Sequence, residues 1–391
     1  MEKEPKKMNQ PAMKKRLLFY FGLLVLVASC TIKSPRTLLF VGSYTEGKPA
    51  NGIHVYEFDE VNEKLNFLYE EPNTINPSFL KISDDGRFLY SVLESQLPTH
   101  GNVGAFGVDS ITGKLRLLNT QDAGGRNPVH LTLHPSGSYL VNSNYTDAGI
   151  SVFAIQSDGS LDKSHQLLEF KDSSIVKGRQ DEAHLHSTNF SPEGDFLFGQ
   201  DLGADKIRTF EMTNSKAKIV LKSSGNVKVK PGSGPRHFTF HPNGKFGYGL
   251  AELSGKVTAY SYAKGRLNFI EDYSSYAIGQ DIYRAADIHI SPDGKFLYAS
   301  NRGPEEDSIS IFSIDQKTGK LSLVGHEPTY GKHPRNFCLS PSGQYLLAAN
   351  QLTGNVVVFK RNTETGILTK LPEEIKMENP SSLQMYTYRD F

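Results

Sequence analysis

A short motif recurs along most of the chain at an almost constant interval, and it limits the possible folds more than any other feature. Each copy has the form S/H-x-x-G followed by an aromatic strand pattern, as in HPNGKFGY and SPDGKFLY. The glycines are Gly86, Gly137, Gly194, Gly244, Gly294 and Gly343, at spacings of 51, 57, 50, 50 and 49 residues. A repeat of about fifty residues has room for four strands, which is the size of one blade of a β-propeller.

Two further strand patterns each occur seven times, which predicts seven blades. One alternates polar and apolar residues, as in GKVTAYSYA, and the other follows a turn, as in KGRLNFI. The strand that precedes each motif also occurs seven times, but its last copy, NPSSLQMY at 379–386, has no motif after it. Its missing partner is TLLFVGSYTEG at 37–47.

The sequence therefore predicts an all-β, seven-bladed β-propeller with four antiparallel strands per blade, in which a C-terminal strand completes the N-terminal blade. A solenoid and a pair of β-sandwiches are competing architectures, but neither needs the two chain ends in one sheet. No linker or low-complexity segment follows residue 36, so residues 37–391 are expected to form a single domain.

The first 30 residues have the features of a targeting segment. Basic residues at Lys14–Arg16 precede an apolar run, Leu17–Val27, that is too short to span a bilayer comfortably. Small residues followed at once by Cys30 resemble the lipobox of bacterial lipoproteins, in which the cysteine is lipidated and starts the mature protein. We predict a signal peptide over 1–29 and a lipidated tether over 30–36. A plain secretory signal with an incidental cysteine is the alternative.

This interpretation predicts an exported bacterial lipoprotein that contacts the membrane only through its N-terminal lipid anchor. Thr31 follows Cys30 in place of the aspartate associated with inner-membrane retention, which favours the outer membrane, facing the periplasm. Met13 is a second candidate start. Cys338 is the other cysteine, and with Cys30 acylated no intramolecular disulfide is expected.

Alternation along the innermost strands predicts which side chains face the central channel. Residues one and three positions before the S/H of the motif are apolar and are expected to pack between blades, whereas those two and four positions before it are mostly polar. The polar set includes His130, Thr132, Ser187, Asn189, His237, Thr239, Asp287 and His289.

Charged residues are expected to gather at one end of this channel. The first strands begin there with His186, Arg236 and Arg335, and the second strands return to the same edge because antiparallel strands joined by a tight turn do so. The second strands end with Tyr44, Glu94, Asn144, Asp201, Glu252, Arg302 and Gln351. Each residue alone has a structural alternative, a hydrogen bond to a neighbouring blade, but charges are seldom assembled in a recess without use.

Other kinds of site are less well supported. His184 and His186 alternate on one strand, and with Asp201 they form a weaker candidate for a zinc or calcium site, so we predict no metal. Cys338 lies inside a strand pattern and is expected to be a small core or channel residue rather than a nucleophile. The sequence has no G-x-S-x-G elbow, which argues against a serine hydrolase.

Five segments, GPRHFTFHPNGKFGYGLAEL, HLHS, QDLGADKI, ADIHISPDGKFLYASNRG and HPRNFCLSPSGQYLLAANQ, together resemble the seven-bladed propeller lactonases. That family contains a bacterial 6-phosphogluconolactonase and is similar to fungal carboxy-muconate lactonizing enzymes, and the resemblance covers residues 37–391. It implies chemistry on lactones without a metal or cofactor. The implied active-site residues are His186 (or His184) in HLHS, Arg236 in GPRH, Glu252 in AEL and Arg302 in SNRG.

Hydrolysis of a lactone needs an activated water, a stabilised oxyanion and a protonated leaving alkoxide. We expect Glu252 to be the general base, Arg236 and Arg302 to clamp the carbonyl oxygen, and His186 to donate a proton or orient the substrate. Arg335 is suited to a carboxylate or phosphate, because its planar fork matches such anions. The other predicted substrate-binding residues are His184, His237, Asp201, Glu94, Asp287 and His289.

The formal net charge of +1 provides no basic excess for nucleic acid, so the expected partner is a small sugar lactone, bound by a monomer or weak dimer. A phosphorylated gluconolactone is expected inside the cell, whereas the export signal directs this chain outside. Either the substrate is a non-phosphorylated aldonolactone, or the propeller is a non-catalytic surface module that binds a carbohydrate or peptide in its funnel.

Overall fold

The computed structural model of the chain describes residues 1–4, 35–95, 98–215 and 218–389. These residues contain 28 strands, which form seven four-stranded antiparallel sheets, and they contain no helix. The predicted all-β, seven-bladed propeller is thereby confirmed. Residues 5–34, which include most of the predicted signal peptide, Cys30 and most of the tether, lie outside the described residues. Among the described residues there is no helix long and apolar enough to cross a membrane.

Strand bounds follow the repeat closely. In chain order the strands are β1 (Arg36–Ser43), β2 (Ile53–Asp59), β3 (Lys64–Glu71), β4 (Leu80–Ile82), β5 (Phe88–Leu93), β6 (Asn102–Val108), β7 (Leu115–Asp122), β8 (Pro128–Leu133), β9 (Tyr139–Asn144), β10 (Gly149–Ala154), β11 (Gln166–Glu169), β12 (Leu185–Phe190), β13 (Phe196–Asp201), β14 (Lys206–Ser215), β15 (Lys218–Lys228), β16 (Pro235–Phe240), β17 (Phe246–Ala251), β18 (Lys256–Ala263), β19 (Arg266–Ser274), β20 (Ile288–Ile290), β21 (Phe296–Asn301), β22 (Ser308–Ile314), β23 (Leu321–Pro328), β24 (Pro334–Leu339), β25 (Tyr345–Asn350), β26 (Asn355–Arg361), β27 (Leu368–Lys376) and β28 (Pro380–Tyr388).

The blades are numbered from the N-terminus. Blade 1 is the sheet β28-β1-β2-β3, and blades 2 to 7 follow as β4–β7, β8–β11, β12–β15, β16–β19, β20–β23 and β24–β27. Contacts link each blade to the next, and the innermost strand β28 contacts both β4 and β24, so the ring closes. The first strand of each blade therefore lies next to the channel, as the repeat predicts.

Closure of the ring depends on pairing between the two ends of the propeller. Strand β28 pairs antiparallel with β1 from Arg36↔Tyr388 to Ser43↔Pro380, and its Ser382 accepts a hydrogen bond from Leu80 N of blade 2 at 2.9 Å. The predicted completion of the N-terminal blade by a C-terminal strand is confirmed. Backbone pairing gives β1 a partner that it would otherwise lack, which removes an exposed inner edge.

The core lies between the blades, where the apolar residues of the innermost strands meet the next sheet. Leu80, Phe238, Ile288 and Phe337 are all buried at the position three residues before the motif. Their polar neighbours on the same strands face the other way, because side chains alternate along a strand. The hairpin turns need a left-handed residue, and Gly244, with φ of 69°, supplies it in blade 5.

Candidate active site

Five innermost strands carry a β-bulge at the same end of the channel: in β28 the extra residue is Ser381, and the other four strands are β8, β12, β16 and β24. In these four strands the register shifts lie between Pro128/His130, Leu185/Ser187, Pro235/His237 and Pro334/Asn336, so the extra residues are Val129, His186, Arg236 and Arg335. A bulge sets two residues opposite one and re-aims a side chain out of the regular alternation. Simple alternation would direct these four side chains between the blades; the bulge is what allows them to reach the end of the channel.

A cavity of about 250 Å³ opens at this end, and we call it the funnel. Its volume is just below the range of typical small-molecule sites, roughly 300–1,000 Å³, which suits a ligand with one ring. Three bulge residues line it together with residues from loops and from the ends of second strands. The lining residues are Glu94, Asn127, Val129, Tyr145, Arg179, His186, Glu252, Arg302 and Arg335.

Glu252 is surrounded by three arginines. Its carboxylate lies 2.6 Å from Nη2 of Arg179, 2.9 Å from Nε of Arg236 and 3.2 Å from Nη2 of Arg302. Burial alone would raise the pKa of Glu252, but the charges of Arg302, Arg236 and Arg179 outweigh burial and lower the pKa to about 2. Glu252 is therefore a carboxylate at neutral pH.

Arg236 lies behind Glu252 and does not line the funnel. Its side chain is buried, and Nη1 donates to the carbonyl of Ala286 and lies 3.3 Å from Nε2 of His237. Burial and the neighbouring charge of Arg302 lower the pKa of Arg236 to about 9, which leaves it cationic at neutral pH. The sequence-based expectation that Arg236 clamps the substrate directly is not supported by this position, because the Glu252 carboxylate takes one side of the guanidinium.

Three predicted channel residues form a network below Arg236. Nδ1 of His237 lies 2.7 Å from one carboxylate oxygen of Asp287, and Nε2 of His289 lies 2.9 Å from the other. Burial and the charge of Arg236 lower the pKa of His237 to about 4, so its ring is neutral at pH 7. A neutral His237 that accepts from Arg236 must donate to Asp287. These residues line a separate channel cavity of about 200 Å³.

The guanidinium of Arg302 faces the funnel and has a partner for each nitrogen. Nε donates to the carbonyl of Arg284 at 2.8 Å, Nη1 lies 3.0 Å from Nε2 of His333, and Nη2 contacts Glu252. Burial and the charge of Arg302 lower the pKa of His333 to about 3, so His333 accepts a hydrogen bond. Arg302 is therefore held in one orientation before any ligand binds.

Arg335 and Glu94 line another part of the funnel wall. Nη2 of Arg335 donates to the hydroxyl of Tyr44 at 2.7 Å, and the guanidinium lies over the Tyr44 ring at 5.2 Å. Glu94 accepts a hydrogen bond from the Ser78 hydroxyl at 2.6 Å. No ion pair joins Glu94 to an arginine or lysine of the described residues, in contrast to Glu252.

The two histidines of the HLHS segment differ in position. His186 lines the funnel, where burial and the charge of Arg236 hold its pKa well below the ordinary value, so its imidazole is neutral. The ring of His184 stacks on that of Tyr145 with centroids 4.4 Å apart, and its Nδ1 lies 3.2 Å from the Tyr145 carbonyl. His184 thus supports the wall from behind.

Of the eleven predicted site residues, five line the funnel: Glu94, His186, Glu252, Arg302 and Arg335. Arg236 and His184 lie behind its wall, and His237, Asp287 and His289 line the channel cavity. Asp201 belongs to neither group, so the prediction that it faces a ligand is corrected. It is fully buried, lies 2.7 Å from Nη2 of Arg208 and accepts a hydrogen bond from His184 N at 2.9 Å.

The position of Asp201 has a simple geometric reason. Glu94, Glu252 and Arg302 are eight residues after the motif glycine, whereas Asp201 is seven residues after Gly194. A shift of one residue along a strand exchanges the two faces. Asn144 is offset in the same way, and the residue after it, Tyr145, occupies the funnel position in blade 3.

Sequence reasoning missed Tyr145, Asn127 and Arg179. A strict count of eight residues from Gly137 finds Tyr145. Arg179 comes from the segment between β11 and β12, within the one repeat that is 57 residues long, so the additional length was the available signal. Nothing in the repeat pattern marks Asn127, which adopts a left-handed φ of 52° beside the bulge at Val129.

The described residues contain no group of three or more His, Cys, Asp or Glu side chains arranged to hold a metal ion. The weaker candidate of His184, His186 and Asp201 fails because Asp201 is committed to Arg208. Cys338 is buried in the cluster between blades 7 and 1, as expected of a core residue, and burial raises the pKa of its thiol.

Comparison with known proteins gives matches over most of the chain. The sequence model described as "Lactonase, 7-bladed beta-propeller" matches residues 38–385. A 6-phosphogluconolactonase of Formosa agariphila is 56% identical, over 90% of this chain and 99% of its own length. A 6-phosphogluconolactonase of Bacillus subtilis is 34% identical over 87% of this chain and 96% of its own. The solved structure of a periplasmic gluconolactonase from Pseudomonas aeruginosa aligns with a TM-score of 0.84 at 33% identity, covering 90% of this chain and 99% of that one.

Proposed function

The chain belongs to the seven-bladed β-propeller lactonase family, and we propose that it is an exported enzyme that hydrolyses a sugar lactone to the sugar acid in the funnel. As a lactone-hydrolysing protein it is a carboxylic ester hydrolase. The observation that carries the proposal is the concentration of charge at one cavity, where Arg179, Arg302 and Arg335 line the wall beside Glu94 and Glu252. Addition of water to a lactone carbonyl produces an oxyanion, which such cations stabilise.

Arg302 is the residue that we assign to the carbonyl oxygen. It lines the funnel and is fixed by the Arg284 carbonyl, His333 and Glu252, so it needs little reorganisation when negative charge develops. Arg236 adds positive charge from behind Glu252. We therefore propose a positioning role for Arg236 rather than direct contact with the substrate.

We propose that Glu252 is a counter-ion rather than the general base expected from the sequence. A carboxylate paired with three arginines is a weak base, because a proton on it would have to displace those ion pairs. Glu252 keeps the arginines close together despite their mutual repulsion. His186, whose imidazole is neutral, is proposed to orient the substrate by hydrogen bonding.

The proposed substrate class includes both a gluconolactone and its 6-phosphate. Arg335 supports binding of an anion, because its hydrogen bond in the structure goes to the neutral Tyr44 hydroxyl and the rest of its fork is uncommitted among the described residues. The proposed export favours the non-phosphorylated lactone as substrate, and one solved structure to which the chain is similar is that of a periplasmic gluconolactonase.

Residues 1–29 are proposed to be a signal peptide and 30–36 a tether lipidated at Cys30, so that the propeller of residues 37–391 would face the periplasm from the outer membrane. The proposed enzyme needs no cofactor and acts as a monomer or weak dimer. Radiolabelled fatty acid incorporated by the chain but not by Cys30→Ala would test the anchor.

The activity is tested by a pH-stat assay of the purified full-length chain in detergent with gluconolactone and its 6-phosphate. We expect turnover of at least one lactone. Arg335→Ala should raise KM for gluconolactone 6-phosphate roughly 10- to 100-fold, because this factor corresponds to the free energy of a hydrogen bond to a charged group. The effect on KM for gluconolactone should be smaller. Arg116→Ala, on the exposed outer strand β7, is the matched control. Thermal stabilisation by sugars without turnover would instead support the non-catalytic binding module.

A further inference from the structure

The funnel contains two glutamates at equivalent positions in different blades. Glu94 follows β5 in blade 2 and Glu252 follows β17 in blade 5, each eight residues after a motif glycine. Blades 2 and 5 are three positions apart in a ring of seven, so the two glutamates lie on nearly opposite sides of the funnel. The family resemblance points to Glu252, but the surroundings of the two carboxylates differ in a way that bears directly on proton transfer.

The partners of Glu94 are hydroxyl groups. Oε2 accepts a hydrogen bond from the Ser78 hydroxyl at 2.6 Å, and the Tyr44 hydroxyl is a second neighbour. The backbone is fixed as well, because Glu94 N donates to the carbonyl of Asn76 at 3.0 Å and the Asn76 amide donates to the Glu94 carbonyl at 3.1 Å. Glu94 is therefore held in place without an ion pair to the described arginines and lysines.

Hydroxyl partners and guanidinium partners have different consequences when a carboxylate gains a proton. A serine or tyrosine hydroxyl can donate to the ionised form or accept from the protonated form, whereas a guanidinium can only donate. Protonation of Glu94 is accommodated by rotation of the Ser78 hydroxyl. Protonation of Glu252 would place an O–H donor against the N–H donors of Arg179, Arg236 or Arg302, and none of these groups can accept a hydrogen bond from it.

The electrostatic surroundings agree with this difference. Burial raises the pKa of Glu94 above its ordinary value of 4.5, against the lowering effects of the Arg335 charge and of hydrogen bonds from Ser78 and Tyr44. Arg335 and Tyr44 are the charged and titratable groups that act on it. Paired carboxylates whose environments push their pKa values apart commonly divide acid–base work between them.

We propose that Glu94 is the catalytic carboxylate that exchanges the proton with the attacking water and with the leaving ring oxygen. The inference rests on the proposed lactone hydrolysis and assigns its proton-transfer step to a residue other than Glu252.

The step balances without an additional reactant. Glu94 takes one proton from water while the water oxygen bonds to the lactone carbonyl carbon, and the resulting oxyanion faces Arg302. The bond between that carbon and the ring oxygen then breaks, and the leaving alkoxide takes the proton from Glu94. The product acid ionises and releases one proton to the solvent, while Glu94 returns to its carboxylate form.

The test compares Glu94→Gln with the unmodified full-length chain on gluconolactone, which is preferred for pH profiles because a phosphate group itself titrates at a pH of about 6. We expect kcat to fall 100-fold or more, with KM changed less than 5-fold, since acid–base catalysis commonly contributes roughly 10²–10⁴-fold. Glu71→Gln is the matched control, because Glu71 also accepts from a tyrosine hydroxyl, at 2.9 Å from Tyr69, but lies on the outer strand β3.

A second variant tests the role through its pH dependence. Ser78→Ala removes a hydrogen bond that lowers the pKa of Glu94, so the acidic limb of the kcat profile should move to higher pH. If Glu252 were the base, this limb would stay in place. An unmoved limb, or a Glu94→Gln variant that folds and keeps kcat within 5-fold, overturns the inference. Absence of turnover in the unmodified chain overturns the proposed function as well and is recognised before any variant is examined.

Discussion

Replacement of Glu252 by glutamine tests whether this carboxylate holds the funnel together by electrostatics. The ordinary pKa of 4.5 and the folded-state pKa of about 2 differ because Arg179, Arg236 and Arg302 outweigh the effect of burial. That difference corresponds to about 3 kcal/mol of folding free energy at neutral pH. Loss of the charge also leaves three arginines without their counter-ion, a change that costs about 3–5 kcal/mol for buried ion pairs.

The pH dependence has a defined sign. The folded-state pKa is the lower one, so the contribution of Glu252 is fully present above the unfolded value of 4.5 and is lost as the pH falls toward about 2. At pH 4 the unfolded chain is already partly protonated at this residue and the folded chain is not. About 0.8 kcal/mol of the contribution should therefore be lost at pH 4.

Denaturant unfolding of the full-length chain and of Glu252→Gln at pH 7 and pH 4 measures the stability contribution of Glu252 and its loss at low pH. We expect the variant to be less stable by about 3 kcal/mol at pH 7, a fall in Tm of about 4 °C for a domain of this size, and the gap to narrow by about 0.8 kcal/mol at pH 4. Glu71→Gln serves again as control. A variant within about 0.5 kcal/mol of the parent at pH 7, or a gap that does not narrow, would refute the reasoning.

Two further predictions concern the scaffold. Deletion of residues 380–391, which include β28, leaves the inner edge of β1 without its partner, so we expect aggregated protein on size-exclusion chromatography and no cooperative calorimetric transition. A monomeric, cooperatively folded product would show that ring closure is dispensable. Asp201→Asn breaks a buried pair with Arg208 and should lower the free energy of unfolding by roughly 3 kcal/mol while KM for the lactone stays within 2-fold; a larger change in KM at an unchanged stability would return Asp201 to the site.

The fold could be predicted because its information is periodic. A motif glycine near every fiftieth residue, with a first strand missing at the start and present at the end, is compatible with only one closed arrangement. Alternation then placed His237, Asp287 and His289 in the channel, where the structure has them. These predictions required only that each strand keep a period of two.

The details of the site could not be predicted in the same way, because they depend on departures from that period. His186 and Arg335 reach the funnel through bulges, and an inserted residue of this kind is not visible in a strand pattern. Arg179 belongs to an insertion outside the repeat. Asp201 was misplaced because an acidic residue near the end of a strand was counted one position too early, and one position decides which face it occupies.

The roles of Glu94 and Glu252 show a second limit. The two residues have the same side chain and the same position in the repeat, so the sequence pattern treats them as equivalent. Their chemistry is decided by neighbours from other blades and loops: Arg179 and Arg302 act on Glu252, whereas Ser78 and Tyr44 surround Glu94. If these neighbours are the cause, the acidic limb of the kcat profile must move in Ser78→Ala and remain in place in Glu252→Gln, even though the latter variant loses stability.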